Sequence, residues 1–176
     1  FVDLMNRYAK EMGLTGTHFE NSHGLPHPDH LSTARDLAVT AVAAIRDHPE
    51  HYAVYKEQSY TYNGITQYNR NHLLREDDSV DGLKTGYTSV AGYGLVASAK
   101  REGMRLISVV MGSSSTSSRK SETRSLLNYG FRFYETATPL RGGEELTQGR
   151  VWKGQAPQVA LGVTTDVILT LPRSTA

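Results

Sequence analysis

Apolar side chains recur at helical spacing at the start of the chain. They stand three or four positions apart, at Phe1, Leu4, Met5, Tyr8 and Met12. This spacing predicts a first helix, which Gly13 ends in a left-handed cap. The pattern then breaks between Leu14 and Leu31, where several glycines and prolines predict a loop with a short extended piece around residues 17–19.

Two later segments also follow a helical pattern. Thr33 and Asp36 form a start signal of the capping-box type, and Pro49 is the stop signal of this second helix. A serine-rich loop, Ser113–Ser118, leads to a third helix. Four residues of that helix are predicted to share the face that covers a sheet, namely Leu126, Leu127, Phe131 and Tyr134.

The residues between the second and third helices alternate as strands do. Asn63-Gly64 stands between two alternating runs and predicts a hairpin with a type I′ turn. Leu83–Thr88, Tyr93–Lys100 and Leu106–Met111 predict three strands of an antiparallel core sheet. A sheet covered by helices belongs to the α+β class.

The character of the chain changes near Thr138-Pro139. Three short strand-like pieces follow, at Val151–Lys153, Gln158–Val163 and Val167–Leu171. We therefore predict two domains, residues 1–138 and a β-rich domain at residues 139–176. So short a segment cannot build a comfortable core, and we expect it to be truncated or to rest on the first domain.

Composition excludes several classes of function. The net charge of +1 and the lack of basic runs argue against a nucleic-acid partner, and no apolar stretch approaches the roughly 18 residues of a membrane span. The absence of cysteine excludes disulfides and thiolate zinc sites. The sequence opens at Phe1 without an initiator methionine or a signal peptide, so we expect an upstream segment to have been removed.

One tripeptide in the predicted sheet suggests chemistry. Lys84-Thr85-Gly86 is the third signature of penicillin-binding proteins and class A β-lactamases, although a tripeptide alone is weak evidence. Its neighbours strengthen it: Asn69-Arg70-Asn71, Ala91-Gly92-Tyr93, Met104–Gly112 and Gly130–Glu135. In this order they resemble the D-alanyl-D-alanine carboxypeptidases, the low-molecular-mass penicillin-binding proteins of the type 5/6 group in peptidase family S11. The resemblance runs from about Phe1 to Arg173.

The resemblance implies a fold and an activity. The fold is the β-lactamase/DD-peptidase-like transpeptidase fold, incomplete here and followed by the beginning of a small all-β domain. The activity is that of a serine-type carboxypeptidase that removes the terminal D-Ala from peptidoglycan pentapeptides through an acyl-enzyme, is acylated by β-lactams and uses no cofactor or metal. The location is the periplasm, with attachment to the inner membrane through a C-terminal segment that this chain does not contain.

The resemblance also identifies motifs that this sequence lacks. The family's Ser-x-x-Lys and Ser-x-Asn precede Lys-Thr-Gly, and they are expected in an upstream segment before Phe1. The 176 residues contain no Ser-x-Asn, and their one Ser-x-x-Lys, Ser117 to Lys120, follows Lys-Thr-Gly and is interpreted as accidental. The chain alone is therefore expected to be inactive.

Lys84, Thr85, Gly86 and Tyr87 are the main candidate site residues. Lys84 supplies a compact positive charge, Thr85 a hydroxyl for the substrate carboxylate, and Gly86 leaves room for a substrate along the strand edge. The resemblance implies that the backbone N–H of Tyr87 is one donor of the oxyanion hole. Tyr87 occupies a position where relatives carry His, so the role of its side chain is open.

Three further residues match family positions near the cleft. Arg119 is expected near the substrate carboxylate, with a surface arginine as the alternative. Arg70 is placed at the rim of the cleft, with a structural salt bridge as the alternative. His23 could titrate near the cleft, although a hydrogen bond that stabilises its loop is the simpler interpretation.

Other interpretations stay open. His23, His27 and His30 could be drawn as a metal site, but Pro26 and Pro28 exclude the helix that would align them. A β-lactamase would share Lys-Thr-Gly, but the β-rich continuation after Pro139 argues against it. The chain could also be a non-catalytic module that binds peptidoglycan or a protein partner.

Overall fold

The computed structural model describes residues 1–173, and the chain divides into a first unit, Phe1–Gly130, and a second unit from Phe131 onward. The helices are α1 (Val2–Glu11), α2 (Ala34–Asp47), α3 (Pro49–Tyr52) and α4 (Thr116–Phe133), with 3₁₀ turns at Ala53–Lys56 and His72–Arg75. The strands are β1 (Ser59–Tyr62), β2 (Ile65–Tyr68), β3 (Val80–Thr88), β4 (Gly92–Arg101), β5 (Met104–Ser113), β6 (Tyr134–Leu140), β7 (Thr147–Arg150), β8 (Gln158–Leu161) and β9 (Val167–Pro172).

The start of α2 explains how the preceding loop is held. The Thr33 hydroxyl accepts a hydrogen bond from the Asp36 N–H at 3.1 Å, as the capping signal predicts. The Asp36 carboxylate accepts from the Gly16 N–H at 2.8 Å and from the Thr17 hydroxyl at 2.7 Å. The helix ends at Asp47, as predicted, but Pro49 also begins α3, because proline suits the first turn of a helix.

The predicted turns are confirmed. Gly13 has φ +73° at the end of α1, the left-handed conformation expected of a glycine cap. Asn63 and Gly64 have φ +49° and +74° between β1 and β2, the pair of positive values that a type I′ turn requires. The extended piece near residues 17–19 is a single antiparallel bridge between His18 and Leu31.

The predicted sheet is also confirmed. Strands β3, β4 and β5 pair antiparallel in that order, so β3 is an edge strand of this sheet among the residues described. Helix α2 covers one face, where Ala41 and Ile45 pack with a group of sheet and α3 residues: Tyr52, Leu83, Val96 and Ile107. Helix α4 lies on the other face, because Gly130 closely approaches Leu106, whose side chain points opposite to that of Ile107.

Three local predictions were wrong. Helix α4 begins at Thr116 rather than after Ser118, because the Ser115 hydroxyl accepts from the Ser118 N–H at 3.0 Å and caps the helix. Tyr134 lies outside the helix, since it is the first residue of β6 and pairs with β9. Val151–Lys153 is not a strand; the strand ends at Arg150, and Lys153 has φ +61° in the turn that follows.

In its described residues, the second unit contains the end of α4 and two antiparallel strand pairs, β6 with β9 and β7 with β8. Strands β8 and β9 match the predicted segments that begin at Gln158 and Val167. Within residues 1–173, no helix combines the length and the apolar character that crossing a membrane requires.

Candidate active site

Lys84 lies on the edge strand with its charge uncompensated. Its side chain is exposed, and Nζ donates to the Thr85 carbonyl oxygen at 2.6 Å. Within residues 1–173 it forms no ion pair with a carboxylate, whereas Arg101 and Arg105 of the same sheet pair with Asp77 and Asp81, each at 2.7 Å. A free cation beside an open strand edge is suited to binding an anion.

The next residues along β3 leave space on the strand. Thr85 is half-buried, and a methyl group added at Gly86 would meet no atom within 4 Å. The exposed ring of Tyr87 stacks on Tyr93, with centroids 4.2 Å apart and an interplanar angle of 31°. The Tyr87 side chain therefore has a packing partner within the sheet, and the space over Gly86 is open to a ligand.

Arg119 is buried, so the alternative of a surface arginine is wrong. Only 6% of the residue is exposed, although it lies in the first turn of α4. Its Nη1 donates to the carbonyl oxygens of Gly86 and Gly94 at 3.2 and 3.3 Å, and Nη2 donates to that of Arg70 at 3.4 Å. Burial lowers the pKa of the guanidinium. Arg119 thus connects two strands and the segment before β3.

Arg70 and His23 take different positions. The Arg70 side chain is exposed and forms no ion pair in the described chain, so the alternative of a structural salt bridge is not seen. His23 lies in an exposed turn where its Nδ1 accepts from the Leu25 N–H at 3.2 Å, and the Asn21 side chain bonds Gly24 and Leu25 in the same turn. The structure thus gives His23 the loop-stabilising bond and brings the Arg70 backbone to Arg119.

Ser117 and Lys120 do not form a nucleophile and base pair in this structure. Ser117 is exposed on α4. The Nζ of Lys120 is 2.7 Å from Glu76 Oε1, and Arg124 also pairs with Glu76. The Lys120 ammonium is thus engaged with Glu76 rather than with Ser117.

His23, His27 and His30 were considered above as a metal site, but the possible ligands that the structure brings together in this loop are a different set. Ligand atoms of Glu20, His27 and Asp29 lie within 4.8 Å of one another, and all three residues are exposed. Glu20 is already bound by His18 Nε2 at 2.9 Å, and His27 Nδ1 accepts from the Asp29 N–H. Glu20 and His27 thus already take part in hydrogen bonds within the loop.

Asn71 is a site residue whose role the sequence did not reveal. It is 1% exposed, and its Nδ2 donates to the Gly82 carbonyl oxygen at 3.1 Å. Its Oδ1 accepts from the Leu73 N–H, and its own N–H is bound by Asn69 Oδ1. One amide side chain therefore fixes the segment before β3 to the strand that carries Lys84.

A half-buried charge network lies three residues before Lys84. The Asp81 carboxylate accepts from the Tyr52 hydroxyl at 2.6 Å and from Arg105, which also donates to the Ser98 hydroxyl at 2.5 Å. Burial raises the pKa of Asp81, but the hydrogen bonds from Arg105 and Tyr52 outweigh it and hold that pKa below the ordinary value. Burial and the bond to Asp81 raise the pKa of Tyr52 to about 12. In the sequence, this network is indicated only by two charged residues, Asp81 and Arg105, that lie within otherwise apolar strands.

The lowered pKa of Asp81 predicts a loss of stability in acid. A carboxyl group whose folded pKa lies below its unfolded value, about 3.9, stabilises the fold above that pH and ceases to do so as pH falls through the folded pKa. We expect Asp81→Asn to be less stable than wild type at pH 7, with a difference that shrinks below about pH 4. Urea unfolding across this range measures it, with the exposed Asp78→Asn as control; a constant difference would contradict the assignment.

An open pocket of about 390 Å³ lies near the start of β3. It is lined by Lys56, Glu57, Gln58, Ser59, Leu74, Asp78 and Val80. None of the predicted site residues is among them. The strand edge at Lys84 is therefore a separate surface.

Two family profiles match consecutive parts of the chain. A profile described as D-alanyl-D-alanine carboxypeptidase matches residues 1–115. The chain belongs to the D-alanyl-D-alanine carboxypeptidase family. A profile described as the C-terminal domain of penicillin-binding protein 5 matches residues 134–176. The resemblance seen in the sequence is thereby confirmed.

Individual relatives agree with this membership. D-alanyl-D-alanine carboxypeptidase DacA of Escherichia coli strain K12 is 50% identical over 174 residues, which are 98% of this chain and 43% of the relative. Penicillin-binding protein 5 from Haemophilus influenzae is 45% identical with a TM-score of 0.88, covering 98% of this chain and 51% of that one. Penicillin-binding protein D2 from Listeria monocytogenes, solved in a cefotaxime-bound form, is 33% identical with a TM-score of 0.69, covering 74% and 54%.

These carboxypeptidase relatives confirm the fold class and define how much of it is present. The TM-score of 0.88 over 98% of this chain shows that the fold is that of the penicillin-binding DD-peptidases. The chain spans less than half the length of the curated DacA relative. Neither Ser-x-Asn nor a Ser-x-x-Lys ahead of Lys-Thr-Gly occurs in these 176 residues.

Proposed function

We propose that the protein containing this chain is a serine-type D-Ala-D-Ala carboxypeptidase. It trims the terminal D-Ala from peptidoglycan pentapeptides through an acyl-enzyme, and β-lactams acylate it. The observation that carries this proposal is Lys84, an exposed and uncompensated cation in a Lys-Thr-Gly at the edge of an antiparallel sheet. A substrate that ends in a carboxylate fits such an edge, because an extended peptide can lie along it with its anion near the cation.

Each neighbouring residue has a role in this proposal. The open space over Gly86 admits the substrate backbone, and the Thr85 hydroxyl donates to the terminal carboxylate. The backbone N–H of Tyr87 donates to the oxyanion that forms when the scissile carbonyl is attacked. Arg70 adds positive charge at the rim of the cleft, Arg119 adds positive charge at the Gly86 backbone, and His23 is placed near the cleft.

The nucleophile belongs to another segment in this proposal. The serine and lysine of Ser-x-x-Lys and the Ser-x-Asn triplet are supplied by residues that precede Phe1 in the protein. Residues 1–138 then form the C-terminal part of the catalytic domain, and the residues from 139 begin the β-rich domain. We place the protein in the periplasm, attached to the inner membrane through a further C-terminal segment.

Intact mass spectrometry of the whole protein, before and after incubation with benzylpenicillin, tests the proposal. We expect one penicilloyl adduct, which peptide mapping places in the segment before Phe1. The same preparation is expected to release D-Ala from a pentapeptide, and slow loss of the adduct separates it from a β-lactamase. An adduct on Ser117 would assign the nucleophile to this chain. No adduct on a complete, folded protein would instead favour a non-catalytic binding module.

A further inference from the structure

Arg119 binds the peptide group that contains the proposed oxyanion donor. The Gly86 carbonyl oxygen, which accepts from Arg119 Nη1 at 3.2 Å, belongs to the same peptide unit as the Tyr87 N–H. In a trans peptide the C=O and N–H bonds point in opposite directions. The guanidinium therefore lies on one side of this peptide and the N–H points away from it, toward the opposite side.

This contact has two physical consequences for the N–H of Tyr87. A charge-assisted hydrogen bond to the carbonyl oxygen resists rotation of the peptide plane, so the direction of the N–H is fixed before a substrate arrives. Withdrawal of electron density by the cation also makes the N–H a stronger donor, because hydrogen bonds through one peptide group polarise one another. Both effects favour the charge that develops on an oxyanion.

The surroundings of Arg119 favour such a fixed role. The residue is 6% exposed and its guanidinium lies over the Tyr93 ring, 5.7 Å from the centroid. It has no carboxylate partner in residues 1–173, and its donors are directed at the carbonyl oxygens of Gly86, Gly94 and Arg70. Because its N–H donors are bound to three backbone segments, this buried guanidinium has little freedom to turn toward a substrate carboxylate.

We infer that Arg119 is a positioning residue that orients and polarises the Gly86–Tyr87 peptide as an oxyanion donor. The inference rests on the proposed function and deepens it, since it assigns Arg119 a role in the reaction that does not need a carboxylate on the substrate. The contacts with Gly94 and Arg70 hold the guanidinium in place for this purpose.

Two acyl thioesters that differ only in the leaving group test the inference in the whole protein. One leaving group ends in a carboxylate and the other in its methyl ester. We expect Arg119→Gln to lower kcat for both by about tenfold to 100-fold, less than the roughly 100- to 1,000-fold loss of an oxyanion donor removed outright, with little change in KM. Arg119→Lys, which keeps the charge on a single donor nitrogen, should recover part of the rate.

The control is Arg124→Gln, since Arg124 lies on the same helix but pairs with Glu76. It should leave both rates near wild type. A loss confined to the carboxylate-bearing thioester would overturn the inference, as would unchanged kcat with raised KM. If Arg119→Gln does not fold, equal rates for Arg119→Lys and wild type overturn it. Failure of wild type to become acylated would refute the proposed function instead, so the two failures are distinguishable.

Discussion

Lys84→Ala in the whole protein is expected to lose about 1,000-fold in both D-Ala release and acylation by benzylpenicillin, at the upper end of what one preorganised group contributes to acyl transfer. Lys84 carries the uncompensated charge of the strand edge, and within residues 1–173 its side chain forms one hydrogen bond, to the neighbouring carbonyl oxygen of Thr85. Removing the side chain should therefore leave the free energy of unfolding almost unchanged. It should abolish both the attraction for the substrate carboxylate and the stabilisation of the charged transition state.

Lys100→Ala is the matched control, because Lys100 is also an exposed strand lysine in the same sheet, at the far end of β4. Steady-state peptidase assays and the second-order rate of acylation measure both variants, and urea unfolding verifies that each is folded. Acylation of Lys84→Ala at the wild-type rate would refute the role proposed for the strand edge. Equal losses in both variants would indicate a general effect of net charge.

Much of the sheet could be predicted because its signals are local. Alternation fixed the three strands, and the Asn63-Gly64 turn requires only two residues that accept positive φ. Lys84 could be identified for the same reason, since the motif is contiguous. The strands extend beyond the predicted limits, and β3 does so across an irregularity in its register at Asp81. The charge of Asp81 is compensated there by Arg105 of β5.

The contacts that assemble the site could not be predicted, because they join residues far apart in the chain. The position of Asp36 predicts a helix cap, yet its carboxylate accepts a hydrogen bond from the distant Gly16 N–H. The sequence gives Arg119 as a polar residue near the start of a helix, yet its side chain is buried and donates to the Gly86 carbonyl oxygen. Tyr134 has the spacing of a helical residue, but pairing between β6 and β9 outweighs that preference. In each case a partner distant in sequence decides the structure.

The second large effect is expected from Asn71→Asp. This substitution should lower the free energy of unfolding at pH 7 by about 3–5 kcal/mol, as is typical of an uncompensated buried charge. The side chain is 1% exposed, and its Nδ2 donates to the Gly82 carbonyl oxygen. A carboxylate has the same shape but no donor, so an anion would face a carbonyl oxygen without water.

The dependence of this loss on pH distinguishes buried charge from altered shape. Burial raises the folded pKa of the introduced carboxyl above its unfolded value of about 3.9, so the variant is most stable below that pH, where the protonated group can donate to Gly82. Its stability then falls relative to wild type as pH rises through the folded pKa.

Asn63→Asp is the control, because Asn63 is exposed in a turn that also accepts Asp-Gly. Urea unfolding between pH 3 and 8 measures both variants. A deficit that does not change with pH would mean that Asn71 acts through packing alone, whereas the expected slope would show that its amide donor holds β3, and with it Lys84, in register with the preceding segment.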